Sequence, residues 1–218
     1  MKILLSMSTI EKHHNGKGQD SIAQDWIDWS VKNGLIPYVI PNGLQNVESY
    51  IDSLSPDLVA LIGEETTQKD ERRDLTERKL IDYCSQRRVP LIGVLRGMQE
   101  INRYYGGSRV KVAGHQGTEH EVILTTPWQK IYGDNTRVVS DHQYAITEIG
   151  IARKFKVAAI DTDGNIEAMV HQDLPFVGIM WHPETQTGNL KDAALFKAIG
   201  KGIVLRPDSE LTLESILA

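Results

Sequence analysis

Short apolar runs and longer stretches of helical spacing alternate along this chain, and together they predict its elements. The runs Ile3 to Met7, Leu58 to Ile62 and Leu91 to Val94 have the length and composition of buried parallel strands. Between the first two, Ile22, Trp26 and Trp29 fall at i, i+4 and i+7, which predicts an amphipathic helix ending near Asn33-Gly34. A second helix is expected over Leu75 to Gln86, charged on one face and carrying Leu80, Ile81 and Cys84 on the other. A third starts at Arg96, with Met98, Ile101 and Tyr105 on one side, and stops at Gly106-Gly107.

The polar stretches Glu11 to Asp20 and Gly114 to His120 predict loops. Later strands are expected at Glu121 to Thr125, Lys156 to Ile160, Ile166 to His171 and Phe176 to Trp181, with Asp163-Gly164 as a hairpin turn. Leu190 to Ile199 and Leu211 to Leu217 read as helices covering the sheet. No repeat, low-complexity tract or linker interrupts the pattern, so residues 1–218 read as one α/β domain.

Charge narrows the partners. With 24 basic and 29 acidic residues the net charge is −5, and no basic block of the nucleic-acid kind occurs. The opening Lys2-Ile3-Leu4-Leu5-Ser6-Met7 is too short for a signal-peptide core, and no apolar run reaches membrane-spanning length. A cytoplasmic protein with neither a nucleic-acid nor a membrane partner is the expectation. One cysteine, Cys84, excludes an internal disulfide and a thiolate metal cluster, and its apolar helix face reads as structural. His13-His14 has no third ligand at a useful spacing and reads as a solvated loop. His115 and His120 are expected to make ordinary surface hydrogen bonds, and no metal or cofactor is expected.

The chemistry centres on Gly93-Val94-Leu95-Arg96-Gly97, a strand-to-helix junction of the form G-x-nucleophile-x-G. Its glycines permit a tight turn that holds the middle side chain over the sheet edge. That residue should be Ser or Cys, and it is Leu95. The run Gly93 to Gln99 resembles the G-I-C-R-G-M-Q elbow of class I glutamine amidotransferases, in their γ-glutamyl hydrolase branch. The likeness extends through Ile101-Asn102 and Gly106-Gly107 and returns at Gly178-Ile179-Met180-Trp181-His182-Pro183-Glu184. Asp20 to Trp26, Ile36-Pro37 and Ile40-Pro41-Asn42 resemble, more weakly, γ-glutamyl hydrolases acting on γ-glutamyl-GABA or nucleotide phosphoramidates.

The resemblance implies a flavodoxin-like three-layer sandwich, with a mixed, mainly parallel sheet and a small antiparallel extension. It implies cleavage of a γ-glutamyl amide to glutamate through a Cys thioester, without a cofactor, and a small γ-glutamyl compound as ligand. A partner synthetase or transferase is a further implication for amidotransferases. Leu95, His182 and Glu184 take the catalytic triad positions. Gly63 and Arg96 take the oxyanion-hole positions, while Gln99, Ser140 and His142 are expected to grip the glutamyl head group around one pocket.

Two departures stand at the reaction centre. Leu95 has no nucleophilic atom, and loss of a triad nucleophile costs on the order of 10⁶ in turnover. Glu64 replaces the second glycine usual beside Gly63, and its carboxylate either brings negative charge to a place built for an oxyanion or points to solvent. Two departures at one centre, and a side chain larger than Cys, favour natural loss of the nucleophile over its engineered replacement. Three functions stay open: an inactive or altered γ-glutamyl hydrolase, a pseudoenzyme binding a γ-glutamyl ligand or partner enzyme, and an acid–base enzyme using His182, Glu184 and Glu64.

Overall fold

The computed structural model describes residues 1–13, 17–63, 70–134, 136–185 and 191–208. From the N-terminus, β1 (Lys2–Ser6) leads into β2 (Ser8–His13) and β3 (Lys17–Ser21), then α1 (Gln24–Lys32), β4 (Ile36–Ile40), α2 (Val47–Leu54), β5 (Leu58–Leu61), α3 (Glu71–Arg87), β6 (Leu91–Val94) and α4 (Arg96–Tyr104). The second half runs β7 (Val110–Lys111), β8 (Thr118–Leu124), α5 (Thr126–Tyr132), β9 (Thr136–Ser140), β10 (Tyr144–Ala145), β11 (Phe155–Ile160), β12 (Ile166–His171), β13 (Phe176–Ile179) and α6 (Asp192–Gly200).

The main sheet has nine strands in the order β4-β1-β5-β6-β13-β12-β11-β8-β9. Pairing is parallel from β4 through β13 and antiparallel from β13 to β9. Taken in chain order, the parallel strands stand second, first, third, fourth and fifth, the flavodoxin-like doubly wound order. In such sheets a crevice opens beyond the carboxyl ends of the strands where the order reverses, here β1 and β5.

Helices cover both faces because the parallel strands are apolar on both sides. On one face Trp26 and Trp29 of α1 pack on Phe196 of α6, the Trp29 and Phe196 rings 4.8 Å apart. On the other, Val47 and Ile51 of α2, Leu80, Ile81 and Cys84 of α3, and Met98 and Ile101 of α4 share a second core. Cys84 is fully buried, and burial pushes its thiol pKa up, as a structural cysteine requires. No helix among the described residues is long and apolar enough to cross a membrane.

Three expectations are corrected. The loop expected over Glu11 to Asp20 is strand in its described parts, up to His13 and from Lys17 on: Ser8, Thr9 and Ile10 pair with Ser21, Asp20 and Gln19 as two antiparallel strands, and His14 lies outside the described residues. Polar residues hide the two-residue period there, and Asp20 anchors the hairpin by accepting from Asn42 N and Nδ2 at 2.8 and 2.9 Å. The loop expected over Gly114 to His120 ends at Thr118, where β8 begins, and α2, α5 and β9 form where the pattern named no element; α5 has a proline in its first turn, which suits that position. His115 and His120 are not surface residues: His115 is buried and the His120 side chain is 19 % exposed. The Asp163-Gly164 turn does join antiparallel β11 and β12, with Gly164 at φ 84°. The helix expected over Leu211 to Leu217 lies outside the described residues.

Candidate active site

At the end of β6 the backbone turns sharply into α4, and Leu95 caps that helix at φ 52° and ψ −112°. A side chain in this region is strained, the signature of an elbow that lifts one residue above the sheet. Two contacts show why glycines flank it. A Cβ on Gly97 would lie 2.0 Å from the Leu61 carbonyl oxygen, and one on Gly93 would lie 2.5 Å from the Gly97 carbonyl carbon. Leu95 N donates to the Ile179 carbonyl at 2.8 Å, tying the elbow to β13.

β13 delivers the partner residues. Beyond Ile179, Trp181 is buried and donates its indole N–H to Asp192 Oδ1 at 3.0 Å. Tyr132 donates to the same oxygen at 2.6 Å. That anchor sets the following residue: His182 N donates to the Val139 carbonyl at 3.2 Å, and His182 Nδ1 lies 2.7 Å from Glu184 Oε1. With Nδ1–H given to the carboxylate, Nε2 carries the lone pair, the tautomer a general base needs.

Leu95, His182, Glu184 and Gly63 line one open cleft of about 400 Å³ beyond β1 and β5. Its far wall is the β2–β3 hairpin, through Ser8, Thr9, Ile10 and Ser21. These wall residues escaped sequence reasoning, because no motif marks them. Gly63 sits at φ 105°, and a Cβ there would meet Ser8 Oγ at 2.4 Å and the Arg73 guanidinium at 2.9 Å. Leu95 itself is 2 % exposed and belongs to the core beneath the cleft. An apolar floor stands where an attacking sulfur is required.

The other implied site residues stand behind this surface. The buried Arg96 side chain pairs with Glu77 and reaches Asp74 Oδ1 at 2.6 Å, bracing α4 against α3. Gln99 donates Nε2 to the Tyr144 carbonyl at 3.0 Å and accepts from Arg109. Ser140 is fully buried on β9, next to the Val139 carbonyl that holds His182. His142 is 1 % exposed and gathers with His115 and Glu167. Neither Arg96, Gln99, Ser140 nor His142 is among the residues lining the cleft. Sequence spacing cannot see this, because which way each side chain faces depends on what packs against its element: α3 draws in Arg96, the Tyr144 carbonyl takes Gln99, and pairing with β8 sets β9. Glu64 lies outside the described residues.

The network beneath Gly63 and the elbow is also new. Arg73 of α3, with no exposed surface, donates Nε to Glu77 Oε1 at 2.9 Å and Nη2 to the Ile62 carbonyl at 2.6 Å. Glu77 thus joins Arg73, under the Gly63 loop, to Arg96, under the elbow. Both walls of the prospective reaction centre hang on one buried carboxylate.

Known proteins share this architecture. A glutamine amidotransferase structure from Thermotoga maritima superposes with a TM-score of 0.61 at 15% identity, covering 84% of this chain and 76% of that one. One from Methylobacillus flagellatus gives the same TM-score at 16% identity, covering 84% of this chain and 70% of that one. In sequence, the gamma-glutamyl-CDP-amidate hydrolase of Campylobacter jejuni is 30% identical over 162 residues, 74% of this chain and 69% of its own. The carbamoyl phosphate synthase small chain of Aquifex aeolicus is 25% identical over 185 residues, 80% of this chain and 47% of its own. The peptidase C26 family model matches residues 3–184, from β1 to the Glu184 that holds His182. This chain belongs to the peptidase C26 family of class I glutamine amidotransferase-like proteins.

Proposed function

We propose that this protein is a γ-glutamyl-binding member of its family that has lost thioester chemistry, a pseudoenzyme built on a hydrolase site. One observation carries the reading: the strained elbow is intact, and the residue it presents is Leu95. A thioester needs a sulfur, and Cys84 is buried in the core of the sheet's other face, on α3. The γ-glutamyl amide as ligand class is supported by the name of the Campylobacter jejuni relative.

The His182–Glu184 pair at 2.7 Å supports a second reading, in which the imidazole activates water directly on a bound amide. Glutamate release separates the two. The native protein, Leu95→Cys, His182→Ala and Leu95→Cys with Glu64→Gly are assayed against glutamine and a panel of γ-glutamyl amides, with calorimetric binding in parallel. Binding of a γ-glutamyl amide without release by the native chain is the expected outcome. Leu95→Cys alone should regain little, since a single lost oxyanion donor costs about 10² to 10³ in rate. The double change should regain far more. Native release abolished by His182→Ala would establish the acid–base reading instead, and no binding of any member of the panel would end both.

A further inference from the structure

Behind the cleft, in the antiparallel half of the sheet, four titratable side chains converge without satisfying one another. Glu167 on β12 is fully buried, and neither carboxylate oxygen has a hydrogen-bond partner among the described residues. His142, 1 % exposed and following β9, has no hydrogen-bond partner at either ring nitrogen among the described residues. His120 on β8 has none either. The spacing is nonetheless close: His120 Nε2 to Glu167 Oε2 is 3.4 Å, and His142 Nε2 to Glu167 Oε1 is 3.7 Å. These contacts are too long to be good N–H···O bonds, whose usual range ends near about 3.2 Å. A buried carboxylate with no hydrogen bond is costly, and nature resolves such groups by pairing or by coordinating a metal.

His115 completes the group from the loop before β8. One ligand atom from each of His115, His142 and Glu167 lies within 4.8 Å of the others. The imidazoles of His115 and His142 sit 4.9 Å apart by centroid, and those of His115 and His120 5.1 Å apart. Asp161 Oδ2 holds His115 Nε2 at 2.8 Å, the carboxylate–histidine pairing that orients metal-bound imidazoles. His115 Nδ1 stands 3.2 Å from the Ala113 carbonyl, a longer contact than that at Nε2.

We propose that His115, His142 and Glu167 form a buried site for a divalent transition-metal ion, zinc foremost, with His120 as a fourth donor. Two donors about 2 Å from one tetrahedral ion stand about 3.4 Å apart, which matches the His120–Glu167 spacing, while the His115, His142 and Glu167 atoms, within 4.8 Å of one another, draw closer to share one ion. Imidazoles and one carboxylate suit zinc and its first-row neighbours, while magnesium and calcium prefer oxygen cages.

The site has a structural reason to exist. β9 accepts His182 N through the Val139 carbonyl, and the Glu167 carbonyl accepts Met180 N at 2.8 Å. An ion joining the segments around β8, β9 and β12 would therefore stiffen both supports of the His182 segment. The inference does not depend on the γ-glutamyl reading, since none of its residues lines the cleft.

Chelator-treated native protein, titrated with zinc and with magnesium, tests it. One zinc ion per chain by calorimetry and elemental analysis is expected, with a higher melting temperature and no magnesium binding. Glu167→Gln and His142→Gln should each lower zinc affinity at least 100-fold, whereas His182→Ala should keep the stoichiometry. Glu167→Gln removes a buried charge at constant shape, and its metal-free melt reports whether it folds. X-ray absorption at the zinc edge of the native protein, independent of any variant, should show a nitrogen and oxygen shell with imidazole scattering. No stoichiometric zinc, zinc retained by both Gln variants, or a shell without imidazole would overturn the site and leave a proton-sharing cluster.

Discussion

Leu95 holds a conformation most side chains avoid, yet its isobutyl group is buried in the core under the cleft. Strain and packing therefore oppose each other at one residue, and substitution can separate them. Leu95→Ala removes packing but keeps a Cβ at φ 52°, while Leu95→Gly removes both. The expected result is a Gly variant more stable than the Ala variant by roughly 1–2 kcal/mol, read by urea denaturation, the reverse of the usual order in regular structure. A neighbouring glycine tests the same turn from the other side. Gly97→Ala drives a methyl into the Leu61 carbonyl and should unfold the elbow or cost more than about 3 kcal/mol. Gly178→Ala would meet Met98 Cγ at 2.5 Å, a side-chain atom that can shift where a backbone carbonyl cannot, and should cost less than Gly97→Ala in the same melts.

Among the elements, α3 carries more than its amphipathic pattern implies. Its apolar face was legible from Leu80, Ile81 and Cys84, but Arg73 and Glu77 are buried too, and they fasten the Ile62–Gly63 turn and the elbow helix to one helix. A helical wheel paints both as solvent-facing, because charge is ordinarily exposed. Glu77→Gln leaves the Arg73 and Arg96 guanidinia short of a shared counter-charge and should cost about 3–5 kcal/mol in denaturant melts. The exposed Arg137–Glu119 pair, at 3.2 Å, offers a control: Glu119→Gln should change stability by less than about 1 kcal/mol. Equal effects at the two sites would show that α3 does not hold the reaction centre.

At the scale of the whole molecule, a buried histidine away from the cleft predicts a loss of stability in acid. His171 on β12 is 3 % exposed, and its Nδ1 accepts the Asp173 and Leu174 amides, each at 3.0 Å. Burial lowers its pKa to about 4, so the folded protein holds it neutral. The folded value lies below the unfolded one, so the unfolded chain takes up the proton first. Stability is full above the unfolded value near 6.5 and falls as pH drops toward about 4. A displacement of this size is worth roughly 3 kcal/mol. Thermal melts between pH 7 and 4 should show a steeper decline for the native protein than for His171→Gln, whose amide oxygen can still accept a backbone N–H. Parallel curves would remove His171 as the cause.

Adjacent residues carried the part of this protein that its sequence alone determined. Gly93 to Gln99 and Trp181 to Glu184 are contiguous, so elbow, histidine and acid are legible without a structure, and so is the absence of sulfur at Leu95. The parallel strands were legible for the same reason, each being a short apolar run that hydrophobic burial drives inward. Tertiary structure alone decided what distant residues do to one another. The polar hairpin became a wall of the cleft only by folding across it, and Gln99 on α4, Ser140 on β9 and His142 beyond it turned to other parts of the fold and not to that cleft. His115, His120, His142 and Glu167 are scattered along the chain and show no ligand spacing. They meet because antiparallel strands β8, β9, β11 and β12 bring them together, and pairing between strands is a property of the folded sheet and not of any local run of sequence.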